Sequence, residues 1–374
     1  MSGDDTNADQ RIRALRLMRA ALDITGAARA TWLDAQCEGD PALRADVEQL
    51  LAADAEASGV LDHSLVDHVA RGAIGTDPRV GRRIGPYVLA ELIGRGGMGA
   101  VYRAEREHGG FHQSVAIKLL RAGDHDNVLA AQRFARERQI LVRLQHPHIA
   151  RLLDGGMTDD GQPWYAMDYV QGEALLDWAT RTQAPLRQRL QLLMQVCDAV
   201  HYAHQNLVLH RDLKPANILV DAAGDAKLLD FGIAKLLDDT DAGVAATQTR
   251  TEHRAFTPAY AAPEQVEGGD VSTATDLYAL GVILYELLTG LRPFRNAAAG
   301  PAARDAHTDT EAPSRRVARE RGDRRNAAAL RGDLDTITLT CLQFDPARRY
   351  ASAAALKRDL ERHLVSRPAI NRHK

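Results

Sequence analysis

The feature that most constrains this chain is an ordered series of short polar motifs in its second half. The series begins with HRDLKPAN at 210–217, continues with DFG at 230–232, eighteen residues after Asp212, and ends with APE at 262–264. Any one of these motifs could be an ordinary solvated loop. Their order and spacing, with several chemically distinct side chains recurring together, indicate a catalytic site instead.

The side chains in this series suit phosphoryl transfer. Asp212 can accept the proton of an incoming hydroxyl, and Lys214 can neutralise a transferring phosphoryl group. Asn217 offers a carbonyl oxygen to a hard cation, and the Asp230 carboxylate can hold Mg²⁺ that bridges phosphates. Lysine is scarce, since only six of the 47 Lys and Arg residues are Lys. Its presence at position 214 therefore suggests that an ammonium is chemically required.

A glycine-rich segment precedes the series. Residues 94–101 fit GxGxxGxV, and glycine lets backbone N–H groups approach phosphate oxygens without a Cβ clash. The signal is weak alone, because a dinucleotide-binding domain or a chance turn would look the same. The dinucleotide version opens a helix after its last glycine, whereas residues 100–103 continue as a strand. This favours a hairpin folded over a nucleotide, and the missing Gly-Lys-Ser/Thr excludes a P-loop.

Lys118 ends the apolar run 115–117 and is another of the rare lysines. Glu137 follows nineteen residues later, within a predicted helix over 132–144, where it could pair with the ammonium. A surface lysine at the end of a strand is the ordinary alternative. The two residues by themselves leave both interpretations open.

The hydrophobic pattern changes twice along the chain. Residues 1 to about 70 predict short amphipathic helices with an acidic excess. From residue 86, short β-branched runs separated by glycine or polar turns predict strands. After residue 170 the pattern is mostly helical, most clearly over 186–205, 275–289 and 334–342. A small β-rich lobe followed by a larger helical one is an α+β arrangement.

Bulk composition excludes several classes of protein. The chain is 45% hydrophobic and 26% charged, and its formal net charge of -3 lacks the basic excess of a nucleic-acid binder. No apolar run approaches the roughly 18 residues of a membrane span. Cys37, Cys197 and Cys341 form neither a disulfide framework nor a metal-ligand spacing. We expect a cytoplasmic protein with no nucleic-acid partner and no membrane segment in this chain.

Together, these motifs resemble those of the protein kinase superfamily from about Pro86 to Leu364, three-quarters of the chain. The resemblance implies an α+β, bilobal protein kinase fold, preceded by a small all-α N-terminal extension. ATP and Mg²⁺ would be the cofactors, with Mn²⁺ as a candidate substitute. The catalytic positions would be Asp212 as the base, Lys214, Lys118 on the α/β-phosphates and Glu137 as its anchor, with Asn217 and Asp230 on the metal.

The resemblance also assigns the nucleotide pocket. The hinge would be 167–170, with Met167 as gatekeeper and the backbone of Asp168 and Val170 facing adenine. The remaining nucleotide-binding positions would be Ile93, Gly94, Gly96, Gly99, Val101, Ala116 and Leu219.

Substrate class follows from the same resemblance. Lys214 and Thr257 match kinases that act on Ser and Thr, and RFARERQIL at 133–141 looks like bacterial kinases of the eukaryotic-like type, which serve signal transduction. Partners would be protein substrates with Ser or Thr acceptors, and a homodimer for trans-autophosphorylation. A phosphothreonine could bind the Arg211 guanidinium next to the base. The candidate sites are Thr247, Thr249 and Thr251.

The predicted organisation is a helical N-terminal extension over 1–70, a linker over 71–85, a kinase domain over 86–365 and a tail over 366–374. A pseudokinase scaffold and a small-molecule kinase of the same fold are the alternatives. The first would need to have lost a catalytic or metal-binding residue, and none is lost. The second usually lacks the APE segment, which is present at 262–264.

Overall fold

The computed structural model describes residues 13–14, 17–18, 21, 27–37, 40–59, 77–96, 99–108, 111–120, 141–231, 259–294 and 310–366. These form a β-rich N-lobe and a helical C-lobe, with helices before the N-lobe. The α+β, bilobal arrangement expected from the sequence is confirmed, as is the helical segment that precedes it.

Before the N-lobe, the described residues include the helices α1 (Ala27–Gln36) and α2 (Pro41–Gly59). Asp40 caps α2, because its Oδ1 accepts hydrogen bonds from the backbone N–H groups of Ala42 and Leu43, each at 3.0 Å. Leu43 and Val47 are fully buried in a small cluster of their own. The amphipathic pattern of residues 41–51 therefore forms a core between helices.

The N-lobe is a six-stranded sheet in the order β1-β2-β3-β4-β6-β5, with antiparallel neighbours. Its strands are β1 (Arg83–Ile84), β2 (Tyr87–Gly96), β3 (Gly99–His108), β4 (Phe111–Leu120), β5 (Leu152–Met157) and β6 (Pro163–Asp168). Strand β1 lies inside the stretch that the sequence predicts to be a linker.

Alternation along β4 and β6 gives the sheet two buried faces. Val115, Ile117 and Trp164 pack in a cluster on the outer face. Ala116, Tyr165 and Met167 point the other way and join the core shared with the C-lobe. The inner face is thus the one that turns toward the cleft between the lobes.

The C-lobe is built from helices around one central helix. Those described are α3 (Leu175–Arg181), α4 (Leu186–Gln205), α5 (Pro263–Glu267), α6 (Thr273–Thr289), α7 (Pro313–Arg321), α8 (Arg324–Leu330), α9 (Asp333–Cys341) and α10 (Ala353–Ser366). Helix α6 is buried along nearly its whole length, and its Asp276 carboxylate accepts hydrogen bonds from the backbone of the HRDLKPAN loop at 210–217.

A small second sheet forms the floor of the cleft. It consists of β7 (Gly172–Ala174), β8 (Ile218–Asp221) and β9 (Ala226–Leu228), paired antiparallel in that order. The sheet fixes Leu219 on β8 and holds Asp230 two residues beyond β9.

Within the described ranges, no helix is both long and apolar enough to cross a membrane. Cys37, Cys197 and Cys341 are buried thiols that form no disulfide. Burial raises the pKa of Cys197 and Cys341, which keeps both thiols protonated.

Candidate active site

The HRDLKPAN loop is anchored to helix α6 through Asp276. The Asp276 carboxylate accepts hydrogen bonds from the backbone N–H of His210 at 2.8 Å and of Arg211 at 2.9 Å. His204 Nε2 lies 2.8 Å from the same carboxylate. Burial alone would raise the pKa of Asp276, but the His204 hydrogen bond and nearby charge outweigh it and lower the pKa. Asp276 is therefore held as a buried anion beneath the loop.

Asp212, Lys214 and Asn217 converge within this loop. Asn217 Nδ2 donates to the Asp212 carbonyl oxygen at 2.9 Å, and Lys214 Nζ lies 3.4 Å from Asp212 Oδ2. The Asp212 and Lys214 side chains are only 9% and 16% exposed. Three groups of different charge thus stand at one point of the cleft floor, at the spacing that the sequence predicts.

Asp230 follows the second sheet, two residues after β9 ends, and has a left-handed φ of 57°. Lys118 Nζ forms an ion pair with Asp230 Oδ2, and the Tyr165 hydroxyl donates to Asp230 Oδ1. Burial would raise the pKa of Asp230, but the Lys118 charge and these hydrogen bonds lower it. Asp230 is an ionised carboxylate with both oxygens engaged.

The HRDLKPAN motif also contacts the chain around the DFG motif through His210. His210 Nε2 lies 2.9 Å from the Leu229 carbonyl oxygen, and its ring centroid is 4.9 Å from that of Phe231. Phe231, Leu141 and Leu152 line one small cavity below the sheet. Phe231, the residue next to Asp230, therefore packs with apolar residues beneath the N-lobe sheet.

The residues predicted to surround the nucleotide lie on β3, β4 and β6 of the N-lobe and on β8 of the second sheet. Val101 on β3 pairs with Lys118 on β4, and Ala116 pairs with Met167 on β6. Alternation places Ala116 and Lys118 on the same face. Leu219 on β8 lies 9% exposed in the lobe below. The residues predicted for the adenine pocket thus lie on both sides of the cleft, with Val101, Ala116 and Met167 on the N-lobe side and Leu219 on the C-lobe side.

Glycines of the glycine-rich segment lie at the end of β2 and at the start of β3. Ile93, Gly94 and Gly96 lie in β2, and Gly99 begins β3. Gly99 has a φ of 146°, and an added Cβ there would overlap the Leu119 carbonyl oxygen. Only glycine fits at this position. Strands β2 and β3 pair antiparallel, which confirms that residues 100–103 continue as a strand, and the covering of a nucleotide stays a prediction.

The predicted hinge, 167–170, begins in the last residues of β6, which ends at Asp168. The Asp168 carboxylate accepts hydrogen bonds from Arg151 N at 3.0 Å and Arg151 Nε at 3.1 Å, and Asp168 N donates to Arg151 O at 3.0 Å. Val170 follows just beyond the strand. Arg151 therefore fixes the backbone that the sequence predicts to face adenine.

Five of the predicted positions lie outside the described residues. They are Glu137, the expected anchor of Lys118, together with Thr257, Thr247, Thr249 and Thr251. Their roles stay predictions.

Three contacting residues were missed by sequence reasoning. Tyr165 meets Asp230, His204 meets Asp276, and Asp77 accepts a hydrogen bond from Arg95 of the glycine-rich segment. The signal for Tyr165 was its place two residues before Met167, on the same face of a strand. The other two contacts join residues that are distant in sequence. His204 and Asp276 are 72 residues apart, and Asp77 and Arg95 are 18 residues apart.

The residues present fit a hard divalent cation. Asp230 is ionised, and Asn217 donates its amide nitrogen to Asp212, which orients the amide oxygen away from that bond. Among the described residues no group of three or more His, Cys, Asp or Glu could hold a metal alone. One carboxylate and one amide suit Mg²⁺, which commonly completes its shell with water and substrate phosphates.

Comparison with known proteins agrees with the resemblance to protein kinases. The family model of the protein kinase domain matches residues 87–360. The chain is 39% identical over 294 residues to serine/threonine-protein kinase pkn3 of Myxococcus xanthus, covering 76% of this chain and 51% of that protein. It is 36% identical over 282 residues to serine/threonine-protein kinase PknB of Mycobacterium tuberculosis, covering 74% of this chain and 42% of that protein. The chain thus spans about half the length, or less, of these curated relatives.

The crystal structure of the M. tuberculosis PknI kinase domain aligns with a TM-score of 0.56 and 29% identity, covering 78% of this chain and 100% of that one. The motifs, the two-lobed fold and the sequence relatives agree. The chain belongs to the protein kinase family, and the curated relatives that it matches are bacterial serine/threonine-protein kinases.

Proposed function

We propose that this chain transfers the γ-phosphoryl group of ATP to Ser and Thr hydroxyls of protein substrates. The observation that carries the proposal is the convergence of Asp212, Lys214 and Asn217 at one point, with Lys214 Nζ 3.4 Å and Asn217 Nδ2 3.5 Å from Asp212 Oδ2. Family membership supports it.

Asp212 acts as the base in this proposal. Its backbone is held through the Asn217 amide and the loop anchored on Asp276, so the carboxylate is positioned before a substrate arrives. The acceptor hydroxyl gives its proton to Asp212 as its oxygen bonds to the γ-phosphorus and the bond to the β-phosphate oxygen breaks. Lys214 offsets the negative charge on the transferring group.

Asn217 and Asp230 would hold Mg²⁺, with Mn²⁺ as a substitute. The metal neutralises charge on the phosphates when it is bound. Lys118 contacts Asp230 in the structure, and in the reacting complex its ammonium would serve the α/β-phosphates, with Glu137 as its anchor. The glycine-rich hairpin would cover the phosphates.

The adenine ring would lie between Val101 and Ala116 above and Leu219 below. Ile93 packs at the edge of the same core, and Met167 closes the rear. The backbone of Asp168 and Val170 would provide the hydrogen bonds that orient the ring. Gly94, Gly96 and Gly99 would let the hairpin approach the phosphates.

The wider biology is proposed from the same resemblance. Signalling through protein substrates, trans-autophosphorylation within a homodimer and a cytoplasmic location are our expectations. The three buried, unpaired thiols suit a reducing compartment.

The proposal is tested by incubating the purified chain with Mg²⁺, γ-labelled ATP and a generic basic protein. We expect label on the protein, and acid hydrolysis should recover phosphoserine and phosphothreonine. Nucleotide binding without transfer would instead indicate a pseudokinase. Label only on a small-molecule acceptor would indicate a small-molecule kinase.

A further inference from the structure

The Tyr165 hydroxyl contacts the carboxylate proposed to bind metal. Tyr165 lies in the middle of β6 and is 2% exposed. Its hydroxyl donates to Asp230 Oδ1, while Lys118 Nζ holds Oδ2. Two neighbouring strands of the N-lobe thus hold the two oxygens of one carboxylate in the cleft.

Strand pairing creates this arrangement. Lys118 on β4 and Tyr165 on β6 are direct partners in the sheet, so their side chains emerge side by side on the cleft face. Lys118 Nζ also lies 6.0 Å from the centroid of the Tyr165 ring. The lysine, the phenol and the carboxylate therefore form one cluster.

The phenol is suited to be a permanent donor. A phenol hydroxyl has one proton to donate, and the structure directs that proton at Asp230 Oδ1. The ring lies in the core that joins the lobes. A tyrosine fixed in this way has little freedom to direct its hydroxyl elsewhere.

The two partners of Asp230 differ in what the proposed reaction asks of them. Lys118 would have to leave Asp230 for the phosphates. Tyr165 is neutral and has no such task, so its hydrogen bond can persist while a cation replaces the ammonium at the other oxygen.

We propose that Tyr165 is a positioning residue that holds Oδ1 of Asp230 and leaves Oδ2 for the metal once Lys118 moves. This inference rests on the proposed function. Hydrogen bonds to a ligating carboxylate fix its orientation, and their loss typically weakens metal affinity by about 10-fold to 100-fold.

The test is Tyr165→Phe, which removes one oxygen and keeps the ring. Binding of a fluorescent ATP analogue is measured over a MgCl₂ series for the wild-type chain and the variant. We expect nucleotide affinity without Mg²⁺ to change little. We expect the Mg²⁺ concentration at half-maximal enhancement to rise by about 10-fold.

Tyr285→Phe is the matched control. Tyr285 is fully buried in the C-lobe, and its hydroxyl donates to the Glu311 carbonyl oxygen at 3.0 Å. This variant also loses a buried phenol hydrogen bond, and it should lower the melting temperature. Its Mg²⁺ midpoint should match that of the wild-type chain, which separates positioning from stability.

A second comparison uses Asp230→Ala. In that background Tyr165→Phe should have no further effect on the Mg²⁺ dependence, because the group it positions is gone. An additional shift there would overturn the inference.

The other outcomes are distinguishable. An unchanged Mg²⁺ midpoint in Tyr165→Phe, with a normal wild-type titration, overturns the inference and leaves the proposed function standing. A lower midpoint also overturns it, because the hydroxyl would then be withholding Asp230 from the metal. A wild-type chain whose nucleotide binding ignores Mg²⁺ would overturn both.

Discussion

Glu264 and Arg349 form a two-bond ion pair across 85 residues of sequence. Arg349 Nη1 lies 2.7 Å from Glu264 Oε1, and Nη2 lies 2.8 Å from Oε2. The Arg349 side chain is fully buried and that of Glu264 is 11% exposed. The pair joins the APE segment to the chain between α9 and α10.

We predict that Glu264→Gln lowers the free energy of unfolding by about 3–5 kcal/mol, because it leaves a buried guanidinium without its counter-charge. Urea denaturation would measure this. Arg362→Gln is the control, since the Arg362–Asp359 pair is exposed and should contribute less than about 1 kcal/mol. Equal, small effects in both variants would contradict the prediction.

Asp276 should make stability depend on acid pH. Its pKa is lowered in the folded protein, so its contribution is complete above the unfolded pKa of about 3.9 and is lost as pH falls through the folded value. Asp276→Asn should be less stable at pH 7 by about 1–3 kcal/mol. Below pH ~4 its urea midpoint should fall less steeply than that of the wild-type chain. If the urea midpoints of the wild-type chain and Asp276→Asn fell equally steeply below pH ~4, the result would argue against a buried Asp276 anion.

Removal of the metal should stop phosphoryl transfer. EDTA is expected to abolish transfer, and added Mg²⁺ is expected to restore it.

In Asp230→Ala, nucleotide affinity should no longer depend on Mg²⁺. Asp230 and Asn217 are the two proposed metal ligands, and the carboxylate is the dominant hard ligand of the two. An unchanged Mg²⁺ titration in this variant would be inconsistent with the proposed metal site.

Activation is predicted to require phosphorylation at Thr247, Thr249 or Thr251. A phosphothreonine carries about -1.5 to -2 charge and can bind the Arg211 guanidinium bidentately. Mass spectrometry of enzyme incubated with ATP should find phosphate on this peptide, and replacement of all three threonines with Ala should lower activity. Phosphatase treatment should lower wild-type activity to a similar level. Full activity in the phosphatase-treated triple variant would refute the prediction.

Local patterns predicted most of the architecture. The helix over 186–205 matches α4 (Leu186–Gln205) because its apolar period is uninterrupted. The helix predicted over 275–289 begins two residues earlier, since Ser272 caps it and its Oγ accepts from Ala274 N at 3.2 Å. The helix predicted over 132–144 lies mostly outside the described residues.

Contacts between distant segments could not be predicted in this way. The Tyr165–Asp230 hydrogen bond depends on the register between β4 and β6 and on the left-handed turn at Asp230. Asp77 is 9% exposed and accepts from the Tyr102 hydroxyl on β3 at 3.2 Å and from Arg95 on β2, although the arginine-rich, glycine-rich sequence around it is typical of a linker. In both cases the environment of a carboxylate is set by strand pairing, which no local period encodes.

The central claim is that Asp212 is the base of a phosphoryl transfer. Its most direct test is the rate of label transfer from ATP to a basic protein by Asp212→Asn, compared with Asp159→Asn, which changes an exposed loop aspartate. Asp212→Asn should lose several powers of ten in rate, as should Lys118→Met, while both remain folded and Asp159→Asn keeps wild-type turnover. Near-normal turnover in folded Asp212→Asn would contradict the account.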